Sequence, residues 1–134
     1  MRKIGVWMDK EKAHVVVLTA DSEDFYTILS NIEFFNLKSG SKPGFKTGAT
    51  QHVIHEQTYL AREKQQMKAY FKKLAKELQQ ADSVMLFGPA DTNEKFRKEL
   101  HEHYKEIGQK IKAVLKADSM TDNQVKAFVR DFYK

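Results

Sequence analysis

Three aspartates, Asp9, Asp91 and Asp118, each follow an apolar run that reads as a β-strand, and the carboxyl ends of strands are where open α/β sheets gather their ligands. Carboxylates converging there could hold Mg²⁺ for nuclease or phosphatase chemistry, because hard divalent cations take oxygen ligands. Each aspartate also has a structural use that needs no metal. Asp9 begins a turn, Asp91 stands where a helix N-cap is wanted, and Asp118 shortly precedes another helix start. The histidines carry less. His52, His55 and Glu56 form His-x-x-His-Glu, whereas zinc peptidases set two histidines four apart on one helix face with the glutamate beside a ligand as base. His101 and His103 are two apart on a helical stretch and point to different sides. Surface histidines explain both sets. Cysteine is absent, which excludes disulfides, thiolate catalysis and Cys-based zinc or iron–sulfur sites, and suits a reducing cytosol. No cofactor or bound metal is expected.

Charge supplies a second candidate chemistry. The net charge is +5, but it is not spread evenly. Asn36 to Gln80 holds nine Lys and Arg against three acids, and the remainder is close to neutral with fourteen basic and fifteen acidic residues. A localised basic surface on a soluble domain points to a polyanionic partner, and nucleic acid is the commonest. The residues that would contact phosphates are Lys38, Lys42, Lys46, Arg62, Lys68, Lys72, Lys73 and Lys76. Lysine needs no exact geometry for this, since each acts as a mobile point charge that displaces counterions from the nucleic-acid backbone. A solvated helix face is the competing explanation of such a stripe. Tyr59 and Tyr70 share a flank of the same helix, where they could stack on unpaired bases or pack against a neighbouring strand.

These residues need elements to position them. Lys3–Asp9 and Ala13–Thr19 are apolar, β-branched runs around the charged turn Lys10-Glu-Lys12, a hairpin signal. A third strand over Phe25–Phe35 completes an antiparallel meander. From Asn36 to about Gln51 the chain carries Gly40, Pro43, Gly44 and Gly48 and no acid, so a flexible basic loop is expected at 36–55. Glu56–Gln80 reads as a long helix with Leu60, Met67, Phe71, Leu74 and Leu78 on one face and the basic residues opposite. Val84–Phe87 is an uninterrupted apolar run, as a strand covered on both faces requires. Asp91 or Thr92 then caps a helix running to Ile107, Glu94 completes a capping-box spacing with Asp91, and Gly108 supplies a left-handed stop. Lys110–Leu115 forms a fifth strand, and Thr121-Asp-Asn-Gln124 opens a last helix with Val125, Phe128, Val129 and Phe132 as its apolar stripe. The order β-β-β-α-β-α-β-α makes an α/β fold, a mixed five-stranded sheet with helices packed on it. A chain of 134 residues is enough for one domain with a real core, and residues 1–134 read as a single unit. No apolar run approaches the roughly 18 residues that span a bilayer.

The stretch Leu86-Phe-Gly-Pro-Ala-Asp-Thr-Asn-Glu-Lys-Phe96 resembles the strand–turn–helix of the middle domain of archaeal and eukaryotic class-1 peptide release factors, which Pelota and bacterial single-domain relatives share. Gly88, Ala90 and Asp91 match at the level of the motif, and the order of elements carries the likeness over nearly the whole chain. The resemblance implies the translational-machinery-component fold, an RNase H-like architecture. It also implies a cytoplasmic, translation-linked role through association with the ribosome or tRNA by way of the basic loop and first helix. In that family the loop before the long helix carries a Gly-Gly-Gln tripeptide that positions water for ester hydrolysis of peptidyl-tRNA. Here Gly48-Ala-Thr-Gln51 falls at that place, so Gln51 joins the candidate contacts. Ala49 and Thr50 stand where two glycines would allow backbone angles closed to residues with a Cβ, and hydrolysis is not expected. Two other functions stay open: a Mg²⁺-dependent nuclease or phosphatase built on Asp9, Asp91 and Asp118, and a protein–protein interaction module. Edge strands of the meander could also pair two copies of the chain into a homo-oligomer.

Overall fold

A computed structural model of the chain describes residues 1–32, 49–89 and 91–134, giving the backbone alone over 49–60. In chain order the elements are β1 (Lys3–Met8), β2 (Lys12–Leu18), β3 (Glu23–Leu29), α1 (Ala49–Leu78), β4 (Ser83–Gly88), α2 (Thr92–His103), α3 (Lys105–Gly108), β5 (Ile111–Lys116) and α4 (Asp122–Phe132). The five strands form one mixed sheet in the order β3-β2-β1-β4-β5. The meander pairs β1 with β2 and β2 with β3 antiparallel, and the α/β part adds β4 parallel to β1 and β5 parallel to β4. This is the α/β architecture expected from the order of apolar runs.

Alternation along each strand decides which helix covers which face. Ile4, Val6, Met8, Ala13, Val15, Val84 and Leu86 pack with Tyr70, Phe71, Leu74 and Leu78 of α1 and with Phe96 and Leu100 of α2. Trp7, Val16, Met85 and Phe87 point the other way and pack with Val125 and Val129 of α4. Phe87 and Phe128 stack there with ring centroids 4.5 Å apart. Strand β4 is buried at all six positions. Its unbroken apolar run is thus the signature of a central strand with helices on both sides. No helix among the described residues is long and apolar enough to cross a membrane.

Several boundaries differ from the sequence expectation, each for a local reason. Strand β3 stops at Leu29, short of Phe35, because Asn31 takes a left-handed φ of 55° and turns the chain. Helix α1 begins at Ala49, earlier than Glu56, since nothing after Gly48 breaks a helix. Residues 49–55 of the loop expected at 36–55 are therefore helical, and residues 33–48 lie outside the described part of the chain. The helix expected over Thr92–Ile107 breaks at Tyr104 into α2 and α3, with φ −137° and ψ 61° at the break. Gly108 does not adopt a positive φ and is no left-handed stop. Its value is close packing, because a Cβ there would sit 3.0 Å from Nδ1 of His101 and 3.2 Å from its Cα.

The two expected capping boxes also part company. At α4 the box forms as read: the Thr121 hydroxyl accepts from the Gln124 amide at 3.2 Å, and the Gln124 carboxamide oxygen accepts from the Thr121 amide at 2.9 Å. At α2 the Asp91 side chain makes no capping bond, and Glu94 turns instead to Arg97 at 3.0 Å. Asn93 ties this helix start down. Its Oδ1 accepts from the Glu94 amide at 2.9 Å and its Nδ2 donates to the Leu115 carbonyl at 3.1 Å, fastening α2 to β5. An internal Asn bound to the neighbouring strand leaves no sequence signal of the capping-box kind.

Candidate nucleic-acid interface

Helix α1 is seated on the sheet by polar anchors as well as by its apolar stripe. Tyr70 is fully buried and donates its hydroxyl to the Asp9 carbonyl at 3.1 Å, at the β1–β2 turn. Burial, with the Asp9 carboxylate nearby, pushes the Tyr70 phenol above its ordinary range. Tyr26 of β3 donates to Glu77 at 2.8 Å, and Lys73 donates to the Leu29 carbonyl at 3.3 Å. Burial and this bond to Glu77 raise the Tyr26 phenol too. These contacts hold one side of α1 against the sheet. Its other side therefore faces solvent.

That outer side carries Lys64, Lys68, Lys72 and Lys76, all exposed and each four residues from the next. Residues four apart stack along one helix face, so the four ammonium groups form a row advancing about 6 Å per step. None of the four forms an ion pair among the described residues. Like charges at this spacing destabilise a helix by about 0.2–0.5 kcal/mol per neighbouring pair, so the row costs α1 on the order of 1 kcal/mol. Positive charge is concentrated here at the expense of local stability. The row borders a groove of about 590 Å³ between α1 and α2, floored by Met67 and Phe71 and lined by Lys64, Lys68, Lys95 and Lys98 together with Glu63, Glu99 and Glu102.

The structure thus brings Lys68, Lys72 and Lys76 onto one surface, with Arg62 exposed on the same helix and Lys73 turned toward the end of β3. Lys64, exposed and four residues before Lys68, belongs to the row as well. Its spacing of four from Lys68 was the available signal. Lys38, Lys42 and Lys46 lie outside the described residues, and Gln51 lies in the first turns of α1 with only its backbone described. Of the two tyrosines, Tyr70 is a core residue and offers no stacking face, while the Tyr59 side chain lies outside the described residues.

The three aspartates do reach one end of the sheet, since β1, β4 and β5 run parallel and end together there. They do not assemble a metal centre. No group of three or more His, Asp or Glu among the described residues could hold a metal ion. Asp9 Oδ1 is occupied by the Glu11 and Lys12 amides at 2.8 and 2.9 Å, which closes the β1–β2 turn. Asp91 lies 3.8 Å from Lys95, and Asp118 contributes its backbone carbonyl to the Trp7 indole at 3.2 Å. Asp9 has the turn-closing use that its position suggested, whereas the Asp91 side chain does not cap α2 and Asp118 acts through its backbone. His101 and His103 are exposed, and the side chains of His52, His55 and Glu56 lie outside the described residues.

One histidine escaped the sequence reading. His14 is buried between the rings of Trp7 and Phe25, at centroid distances of 5.3 and 5.5 Å, with Nδ1 2.8 Å from the Thr27 hydroxyl. Burial lowers its pKa below the ordinary value, so it serves as a neutral core residue on the α4 face of the sheet.

Against known proteins, no protein-family model matches the chain, and no curated protein matches it in sequence. Solved structures do match. The crystal structure of Pelota from Archaeoglobus fulgidus superposes with a TM-score of 0.55 over 98% of this chain at 12% identity. An archaeal translation termination factor, aRF1, superposes with a TM-score of 0.57 over 97% of this chain at 9% identity. The chain spans 34% and 37% of the length of those two proteins. The fold inferred from Gly88, Ala90, Asp91 and the order of elements is therefore shown: the five-stranded α/β domain of this chain has the fold of a release-factor and Pelota domain.

Proposed function

We propose that this domain is a translation-associated, cytoplasmic binding module that docks on the ribosome or on tRNA through the exposed lysine face of α1. The observation that carries the reading is the row Lys64, Lys68, Lys72 and Lys76, free of ion pairs among the described residues, on a domain whose fold is shared with Pelota and a translation termination factor. Concentrated cationic charge gives fast, salt-dependent association with a polyanion and places no demand on exact side-chain geometry. The basic residues of the preceding segment, Lys38, Lys42 and Lys46, extend the same sign of charge toward α1 in the sequence. The role is binding without ester hydrolysis, because the chain carries Gly48-Ala-Thr-Gln51 where the resembled family carries Gly-Gly-Gln. The test is fluorescence anisotropy of labelled protein titrated with ribosomes and with tRNA, for the natural chain and for a Lys68→Glu, Lys72→Glu, Lys76→Glu variant. Saturable binding that the triple substitution abolishes supports the reading. Equal binding by both proteins rejects it.

A further inference from the structure

The chemistry of the same surface narrows the partner, if the reading just given holds. We infer that the α1 row recognises the phosphate backbone of double-helical RNA, one strand at a time, and does not read unpaired bases. Three features lead there. The first is regularity: four lysines on a continuous helix set an inclined row that advances about 18 Å along the axis, with charges about 6 Å apart along it. That separation is comparable to the spacing of successive phosphates along a strand held in a duplex. A duplex presents its phosphates already ordered, whereas a flexible single strand must lose conformational freedom to match a rigid row.

The second feature is what accompanies the charges. Single-strand binders combine a basic groove with aromatic side chains on which bases stack. Among the described residues the large hydrophobic side chains left exposed are Met1, Leu29 and Leu115, and none is aromatic. Tyr70, the aromatic residue of α1 nearest the lysines in sequence apart from Phe71, is sealed in the core by its bond to Asp9, and Phe71 is itself 5% exposed. Double-helical RNA is recognised mainly by shape and backbone contacts, which lysines alone can supply.

The third feature is a boundary. On the α2 side the groove brings Glu99 and Glu102 among Lys95 and Lys98, and Lys95 is already engaged with Asp91 at 3.8 Å. Carboxylates there repel phosphate. The track is thus confined to α1, and α2 carries balanced charge that takes no part.

The consequence is quantitative. Four phosphate contacts to a duplex give a slope of log K against log salt of about −3.6, a loss of affinity of about 150-fold between 50 and 200 mM salt. The experiment measures binding to a fluorescent RNA duplex of about two helical turns, to either of its strands alone and to a DNA duplex of the same sequence, over that salt range. The expected result is tighter binding to the RNA duplex than to its single strands by tenfold or more. Each of Lys68→Gln and Lys72→Gln should lower the slope by about 0.9, while Lys95→Gln and Lys98→Gln should leave it unchanged. Equal or tighter binding to single strands would overturn the inference and leave the ribosome or tRNA reading standing. So would a slope that falls as much for Lys95→Gln as for Lys72→Gln, since the track would then not be confined to α1. A DNA duplex bound as well as RNA keeps the duplex-backbone track but overturns the assignment to RNA. Binding to none of the probes, by a protein that also ignores ribosomes, overturns both.

Discussion

Substituting Gly88 by alanine tests the joint between the central strands, on which every other placement depends. Gly88 ends β4 with a φ of 148°, a backbone conformation closed to residues with a side chain, and an added Cβ would lie 2.2 Å from the Met8 carbonyl oxygen and 3.2 Å from its carbonyl carbon. Neither obstacle is a flexible side chain. Met8 is the last residue of β1, the neighbour of β4, so relief requires moving the two central strands apart or refolding the turn into α2. Backbone strain of about 1–3 kcal/mol and overpacking of about 1–3 kcal/mol together put the cost near 4 kcal/mol. For a chain of 134 residues, an unfolding entropy of about 2.1 cal/mol/K per residue turns this into a fall in Tm of about 14 °C. Small domains hold about 5–15 kcal/mol in reserve, so the variant should still fold and can be measured. Urea unfolding followed by the fluorescence of Trp7, the single tryptophan, reports it directly, with calorimetry for Tm. An unchanged m-value with a loss below about 1 kcal/mol would show that β4 does not end against Met8 as described.

Other perturbations probe the caps, the anchors and the titrating groups. Thr121→Ala should cost about 1 kcal/mol by urea unfolding because it removes a formed capping box, whereas Asp91→Ala should be close to neutral, since its side chain caps nothing. Asn93→Ala should exceed both, at about 2 kcal/mol, because it unties α2 from the Leu115 carbonyl and frees the buried helix start. Tyr70→Phe should cost about 1–2 kcal/mol by removing the hydroxyl that satisfies the Asp9 carbonyl. Tyr70 and Tyr26 have phenols raised above the ordinary value of 10, so both favour the folded state while protonated. Stability should therefore be intact below pH 10 and fall as pH rises beyond it, less steeply in Tyr70→Phe. His14 is shifted the other way. Its neutral form is favoured by burial, so its contribution is present above the ordinary value of 6.5 and is lost as pH falls toward the lowered folded value, a dependence that His14→Phe should remove in a pH series of thermal melts.

How far the sequence could be read varies with the range of the interactions involved. Val84–Phe87 announced a central strand because burial on two faces leaves no polar position, and Thr121 with Gln124 announced a helix start because both partners of the box lie within one turn. Signals of this kind are local. The break at Tyr104 and the packing of Gly108 against His101 are not, since they depend on how α3 folds back on α2. The same holds for Asn93, whose partner is the Leu115 carbonyl on β5. At Asp91 a correct spacing misled, because a capping pattern competes with tertiary contacts that spacing does not show.

The candidate site followed the same rule. Lys68, Lys72 and Lys76 were legible as a face because four-residue spacing alone stacks them on a helix, and the structure adds Lys64 by the same periodicity. The burial of Tyr70 depends on the Asp9 turn, 61 residues away, and pattern alone left it open between stacking and packing. The aspartates illustrate the converse. Topology brings their strand ends to one end of the sheet, but the Asp9 carboxylate is taken by its own turn and Asp91 lies beside Lys95. His14 was passed over because a single polar residue within Ala13-His-Val-Val-Val gives no hint that three rings will align across three strands.

The central claim, that the lysine face of α1 docks on the translation machinery, is tested most directly by co-sedimentation with ribosomes over a salt series, for the natural chain beside the Lys68→Glu, Lys72→Glu, Lys76→Glu variant. The account predicts saturable binding that persists at physiological salt and disappears in the variant. Absence of binding, or weak binding that fades uniformly with salt and is the same in both proteins, would contradict it.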